Sequence, residues 1–227
     1  MWIIAHRGGS ELHPENTLEA FRAAELMGVD MVEADVQVSR DGELVVIHDA
    51  TLSRVSGQPV PVQSLTADEL SRVDVGQGHG VPKLRDVLDH LRIPVVTELK
   101  SPTAGDALLK LFDAHPHYIS RVIPISFDHR LVRTLKDRLP TLEAGVLLVG
   151  VPVNLPDVAR AAKVRMVALY YEWVDRALVD ALHQEEIMLS VWTPNSAAAV
   201  EKLRDLSVDA IASDRPDLVL RAIGRNV

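Results

Sequence analysis

Short apolar runs alternate with helix-period stretches along the chain, and this alternation constrains the fold more than any other feature. The runs lie at 2–5, 31–38, 95–100, 122–127, 144–149, 166–170, 188–192 and 210–213. Between them apolar residues recur at helical spacing, as in Leu18, Phe21, Ala24 and Met27, or Leu131, Leu135 and Leu139. Strands separated by helices imply a parallel sheet. Eight such units, with both chain ends in neighbouring elements, favour closure into an α/β (β/α)8 TIM-type barrel over an open doubly wound sheet. Barrels of this kind run to roughly 250 residues, with ~200 near the lower limit, and the chain has 227. Its residues are 47% hydrophobic but only 4% aromatic, so the core is aliphatic, which suits strands buried on both faces. A single catalytic barrel over 1–227 is the expected organisation.

Barrel enzymes place their chemistry at the C-terminal ends of the strands. Here those ends are polar: His6-Arg7 after the first run, Glu33-x-Asp35 in the second, Glu98-x-Lys100 in the third and Trp192-Thr193 in the seventh. Strand alternation puts Glu33, Asp35 and Gln37 on one side. A further short strand at 44–48 follows Asp41-Gly42 too closely for a parallel crossover, so it is an antiparallel hairpin that brings His48 roughly opposite Asp35. Asn16 reads as the N-cap of the first helix, with Glu19 three residues on. The stretch at about 50–82, rich in Gly and Pro, reads as a small insertion after the second strand, lying over the barrel mouth.

Three strand-end carboxylates, Glu33, Asp35 and Glu98, offer oxygen-only ligation to a hard cation such as Mg²⁺ or Ca²⁺. The alternative is a set of surface carboxylates paired with Arg7 or Lys100. His6 and His48 can supply a general base and a general acid, or can be hydrogen-bonded rim histidines. Arg7 and Lys100 give a local anion site, can form salt bridges to the nearby carboxylates, or do both. Trp192 is either a core residue or a wall of the pocket.

A net charge of −8 disfavours binding to a nucleic-acid backbone, which needs a basic footprint. With no cysteine there is no disulfide, thiol nucleophile or thiolate zinc site. No signal peptide is evident, and no apolar run approaches the ~20 residues needed to span a bilayer. A soluble cytoplasmic protein without stable membrane insertion is the expectation.

His6-Arg7-Gly8, Pro14-Glu15-Asn16-Thr17, Glu33-x-Asp35, His48-Asp49, Glu98-x-Lys100, Ser126-Phe127 and Trp192-Thr193 occur in the order found in glycerophosphodiester phosphodiesterases, and Asp214-Arg215-Pro216 looks like that family's closing segment. The chain resembles that family over essentially its whole length. The resemblance implies a distorted (β/α) barrel that cleaves a small glycerophosphodiester to sn-glycerol 3-phosphate and an alcohol in glycerophospholipid catabolism. It implies one divalent cation, Mg²⁺ or Ca²⁺, on Glu33, Asp35 and Glu98, with His6 and His48 as the acid–base pair. Arg7 and Lys100 would bind phosphate, and Phe127 and Trp192 would line the alcohol side of the pocket. One departure is Arg54-Val55-Ser56, standing where the family usually has Arg-Thr-Thr and a longer insertion. The rival on the same barrel is a lysophospholipase D or sphingomyelinase D-like enzyme. That rival wants an apolar surface near the mouth, and the insertion is mostly small and polar.

Overall fold

The computed structural model describes residues 1–225. Nine strands form its sheet: β1 (Trp2–Ala5), β2 (Met31–Val38), β3 (Leu44–Val46), β4 (Val95–Leu99), β5 (Val122–Ser126), β6 (Gly145–Leu148), β7 (Met166–Tyr170), β8 (Met188–Trp192) and β9 (Ala210–Ser213). The order is β1-β9-β8-β7-β6-β5-β4-β2-β3, and β1 pairs with β2 as well as with β9, which closes the ring. Every pairing within the ring is parallel; β3 alone is antiparallel, on β2. Helices such as Leu18–Met27, Pro102–Ala114 and Pro216–Ala222 lie outside it, giving the (β/α)8 barrel that the alternation implies.

Side-chain alternation sorts the strands into two apolar layers. Ile3, Ala5, Val32 and Val36 face outward and pack with Phe21, Val87, Leu108 and Leu135 of the helices. Ile4, Met31, Val96, Ile125, Leu147 and Ala212 face inward and fill the barrel. On β2 the inward face begins with Met31, so the period of two carries Glu33 and Asp35 inward as well. Both are buried.

Several strands end earlier than their apolar runs. β4 stops at Leu99, β5 at Ser126 and β6 at Leu148, so Lys100, Phe127 and Val149 open the loops that follow. The hairpin strand likewise stops at Val46. Val36 lies opposite Val46, and the Ile47 amide donates to the Asp35 carbonyl at 2.9 Å. Ile47 is therefore the residue opposite Asp35, and His48 comes just after it. The first helix is capped by Thr17, whose Oγ1 accepts from the Ala20 amide at 3.2 Å, and not by Asn16. Asn16 sits at φ 57°, and its side chain is committed to Asp35 instead.

The insertion also differs from expectation. Leu52, Val62, Ala67, Leu70 and Val81 are buried together with Val45 and Ile47, so the segment packs on the hairpin as a small core of its own. No residue between 50 and 82 lines the central cavity. Its apolar side chains find their burial against the hairpin.

Gly8, in the turn after β1, has φ +84°, and a Cβ there would lie 2.6 Å from the Ala20 Cβ. Gly42, in the hairpin turn, has φ +83° but nothing within 4 Å. Gly8→Ala combines backbone strain with overpacking and should cost about 2–4 kcal/mol. Gly42→Ala carries the strain alone and should cost about 1–2 kcal/mol. Urea unfolding of the two variants checks the order; equal losses would mean that the helix moves aside freely.

Candidate active site

The turn after β1, the inward face of β2 and the end of β4 converge on a group of carboxylates. Asp35 and Glu98 are partners in the β2–β4 register, and Glu33 precedes Asp35 on the same face. One oxygen from each of the three lies within 4.8 Å of the others. The group is held together by two cations. Lys100 Nζ is 2.8 Å from Asp35 Oδ1 and 2.6 Å from Glu98 Oε1. Arg7 Nε is 3.1 Å from Asp35 Oδ2, and its backbone N–H donates to Glu33 Oε2 at 3.0 Å. Asn16 Nδ2 donates to Asp35 Oδ2 at 2.9 Å.

The electrostatics differ sharply within this group. Burial disfavours the charge on Asp35, but Lys100 and Arg7 outweigh it and hold the carboxyl at about 2. Burial and the neighbouring Asp35 push Glu33 up to about 8. Burial raises Glu98 as well, against the pull of Lys100. Glu33 Oε1 is buried and has no hydrogen-bond partner. A buried carboxylate oxygen without a partner, among oxygen donors only, fits a hard divalent cation.

Each histidine is fixed through Nδ1 by an aspartate. His6 Nδ1 is 2.6 Å from Asp214 Oδ1, and His48 Nδ1 is 2.6 Å from Asp49 Oδ1. Asp214 also accepts from Ser10 Oγ, and from Asn195 Nδ2 at 2.6 Å. Burial opposes its ionisation, yet His6, Ser10 and Asn195 hold it down at about 2. Asp49 likewise lies below its ordinary value; burial opposes this, and His48 and Arg54 prevail. An ionised carboxylate only accepts, so Nδ1 carries the hydrogen in both pairs and Nε2 is left to exchange protons. Burial disfavours the His6 imidazolium, but Asp214 and Glu33 more than offset this and raise its pKa.

Arg54 ties the second pair to Arg7 by way of Glu15. Its Nε donates to Asp49 Oδ2 at 2.8 Å, while its two terminal nitrogens grip Glu15 at 2.7 and 2.8 Å. Glu15 also accepts from Arg7 at 3.2 Å. The insertion therefore reaches the site through this guanidinium, and its Val55, Val75 and Val81 share a small cavity with His48.

Eight of the nine predicted site residues line one cavity of about 260 Å³: His6, Arg7, Glu33, His48, Glu98, Lys100, Phe127 and Trp192. Asp35, the ninth, is fully buried behind it. The cavity is two-sided. Charged groups come from β1, β2, the β3 loop and β4; Ile125, Phe127, Leu147 and Trp192 come from β5, β6 and β8. Phe127 meets Trp192 edge-on, with ring centroids 5.8 Å apart at 81°. Asp214, Asn195, Ser10, Asp49, Glu15 and Arg54 escaped sequence reasoning as site residues. Adjacency to His48 was a usable signal for Asp49. No local spacing could find Asp214, which is 208 residues from His6 and meets it only because β9 pairs with β1.

The sequence matches the glycerophosphoryl diester phosphodiesterase family over residues 6–218. A glycerophosphodiester phosphodiesterase of Caldanaerobacter subterraneus subsp. tengcongensis is 30% identical, with 97% of each chain covered. The crystal structure of a glycerophosphodiester phosphodiesterase from Thermotoga maritima superposes with a TM-score of 0.84 at 27% identity, over 97% of both chains. A phosphodiesterase of Oleispira antarctica, solved in complex with its product sn-glycerol-3-phosphate, shares the fold with a TM-score of 0.91 at 24% identity, over 98% of this chain and 96% of that one. The chain belongs to the glycerophosphoryl diester phosphodiesterase family, a family of phosphoric diester hydrolases.

Proposed function

We propose that residues 1–227 act as one catalytic barrel that hydrolyses glycerophosphodiesters to sn-glycerol 3-phosphate and an alcohol, in glycerophospholipid catabolism in the cytoplasm. The observation that carries this reading is the placement of two aspartate-anchored histidines and three clustered carboxylates on one cavity. The product bound by the Oleispira antarctica phosphodiesterase supports the substrate class. No helix among the described residues is long and apolar enough to cross a membrane.

Glu33, Asp35 and Glu98 would hold one divalent cation, Mg²⁺ or Ca²⁺. Such a cation supplies Lewis acidity and neutralises charge on a phosphoryl oxygen. Arg7 and Lys100 add fixed positive charge for the phosphate in a chain of net charge −8. His6 and His48 divide the two proton transfers through Nε2: one removes the proton of the attacking hydroxyl and the other protonates the departing alcohol. Asp214 and Asp49 hold the rings in the tautomer this needs. Phe127 and Trp192 exclude water from the carbon skeleton of the substrate.

His6→Ala and His48→Ala should each lower kcat by ~10²-fold or more, the usual scale for a lost general acid or base. Thermal unfolding should shift little, because neither side chain belongs to the packed core. Near-wild-type kcat in either variant would remove that histidine from the chemistry.

Chelation should abolish turnover, and Mg²⁺ or Ca²⁺ should restore it. Full activity in excess EDTA would refute the cation assignment. Binding should also be linked to protons. With its carboxyl at about 8, Glu33 is protonated in the cation-free protein at neutral pH and must release that proton to act as a ligand. Affinity should therefore rise roughly tenfold per pH unit up to that value and then level off. Titration calorimetry in buffers of different ionisation enthalpy should show close to one proton released at pH 7, and Glu33→Gln should remove both the proton release and most of the affinity.

A further inference from the structure

Arg54 stands half on the surface, yet it spends its donors on the site. It lies in one short helical turn, Ser53–Ser56, and its side chain is 46% exposed. The segment around it has its own anchor, because Leu52, Val62, Ala67 and Leu70 pack on Val45 and Ile47. Exposed ion pairs add little to stability. Holding the insertion down therefore does not account for three charged hydrogen bonds from one guanidinium, all of them to acids that touch His48 or Arg7.

Asp49 is held at both oxygens. Its Oδ1 pairs with His48 Nδ1 at 2.6 Å, and its Oδ2 accepts from Arg54 Nε at 2.8 Å. The terminal torsion of an aspartate is soft. A carboxylate gripped at one oxygen only would swing, and the imidazole bonded to it would swing too.

Glu15 is held by two competing cations. Its Oε1 accepts from Arg54 Nη2 at 2.8 Å and from Arg7 Nη1 at 3.2 Å, while its Oε2 accepts from Arg54 Nη1 at 2.7 Å. Burial opposes the charge on Glu15, but the bonds to Arg54 and the charge of Arg7 hold its carboxyl below the usual value. Arg54 has the shorter contacts and both oxygens. Left with Arg7 alone, the carboxylate would turn both oxygens to it, the fork geometry such pairs favour. Arg7 would then be drawn away from a phosphate.

We propose that Arg54 is a positioning residue with two separable effects: through Asp49 it holds the His48 ring for proton transfer, and by occupying Glu15 it leaves Arg7 to the phosphate. This rests on the function proposed above and gives the insertion a part in it.

The test measures glycerophosphocholine cleavage by the cation-loaded protein and, with no turnover involved, calorimetric binding of inorganic phosphate. Arg54→Met should lower kcat about tenfold or more, since a small misplacement of a reacting group is costly. It should also raise KM and the phosphate Kd about fivefold or more, the scale of a weakened hydrogen bond to a charged group. Adding Glu15→Gln removes the competing charge, so KM and Kd should return close to wild type while kcat stays low. An arginine that only braced the fold would give no such split. The Nδ1 proton of His48, a downfield resonance identified by its loss in His48→Ala, should shift or broaden in Arg54→Met and stay so in the double variant. Wild-type kcat in folded Arg54→Met, or a KM and Kd that Glu15→Gln fails to restore, overturns the proposal and leaves the parent function standing. Absence of glycerophosphocholine cleavage by the wild-type protein sinks the parent function; the phosphate Kd and the histidine resonance then decide the role of Arg54, and no change in either overturns it. Should Arg54→Met unfold, Arg54→Lys keeps the charge without the fork and should move kcat and KM in the same directions by smaller factors. Unchanged values of both in that variant overturn the proposal as well.

Discussion

Arg7 and Lys100 make the rest of the site possible. Two like charges 4 Å apart repel by about 4 kcal/mol at an effective dielectric of 20. Glu33, Asp35 and Glu98 present three such pairs, which together rival the whole stability of an ordinary domain, about 5–15 kcal/mol. The protein limits this in two ways. Lys100 bridges Asp35 and Glu98, and Arg7 covers Asp35 from the opposite side. Glu33, with a backbone donor and only the His6 ring beside it, 3.9 Å away, is pushed towards its protonated form instead. The tension that remains is of the kind that a bound divalent ion would relieve.

Most of the site was legible because parallel barrels collect strand ends. Period-two alternation was enough to put Glu33 and Asp35 on one face, and the short hairpin was enough to bring His48 near them. What failed to show was whatever depends on closure or on competing uses of one side chain. Asn16 has the composition of an N-cap, yet Thr17 takes that place because Asp35 takes the Asn16 amide. Local preference ranks asparagine above threonine as a cap, and the buried charge across the turn reverses that order. The insertion misled for a similar reason. Its glycines and prolines suggest a loose cover, while its valines and leucines find a partner in Val45 and Ile47.

The rim divides along the order of the strands. From β1 to β4 it carries ions and hydrogen-bond donors; from β5 to β8 it carries aromatic and aliphatic side chains. That division matches a substrate with a charged centre and a carbon skeleton. Trp192 stands on the apolar side with a buried indole N–H that lacks a protein partner, so it adds one polar handle there.

The pairing of His6 with Asp214 has a consequence for how the enzyme comes into being. His6 leaves the ribosome 208 residues ahead of its aspartate. Until β9 inserts between β1 and β8, the ring is open and the histidine has no carboxylate to set its tautomer. Such long-range parallel pairing is slow to form. A chain that stops short of β9 therefore lacks the pairing that orients His6. The His6–Asp214 pair is complete only when β9 closes the ring, so the topology ties the orientation of this histidine to the completion of the barrel.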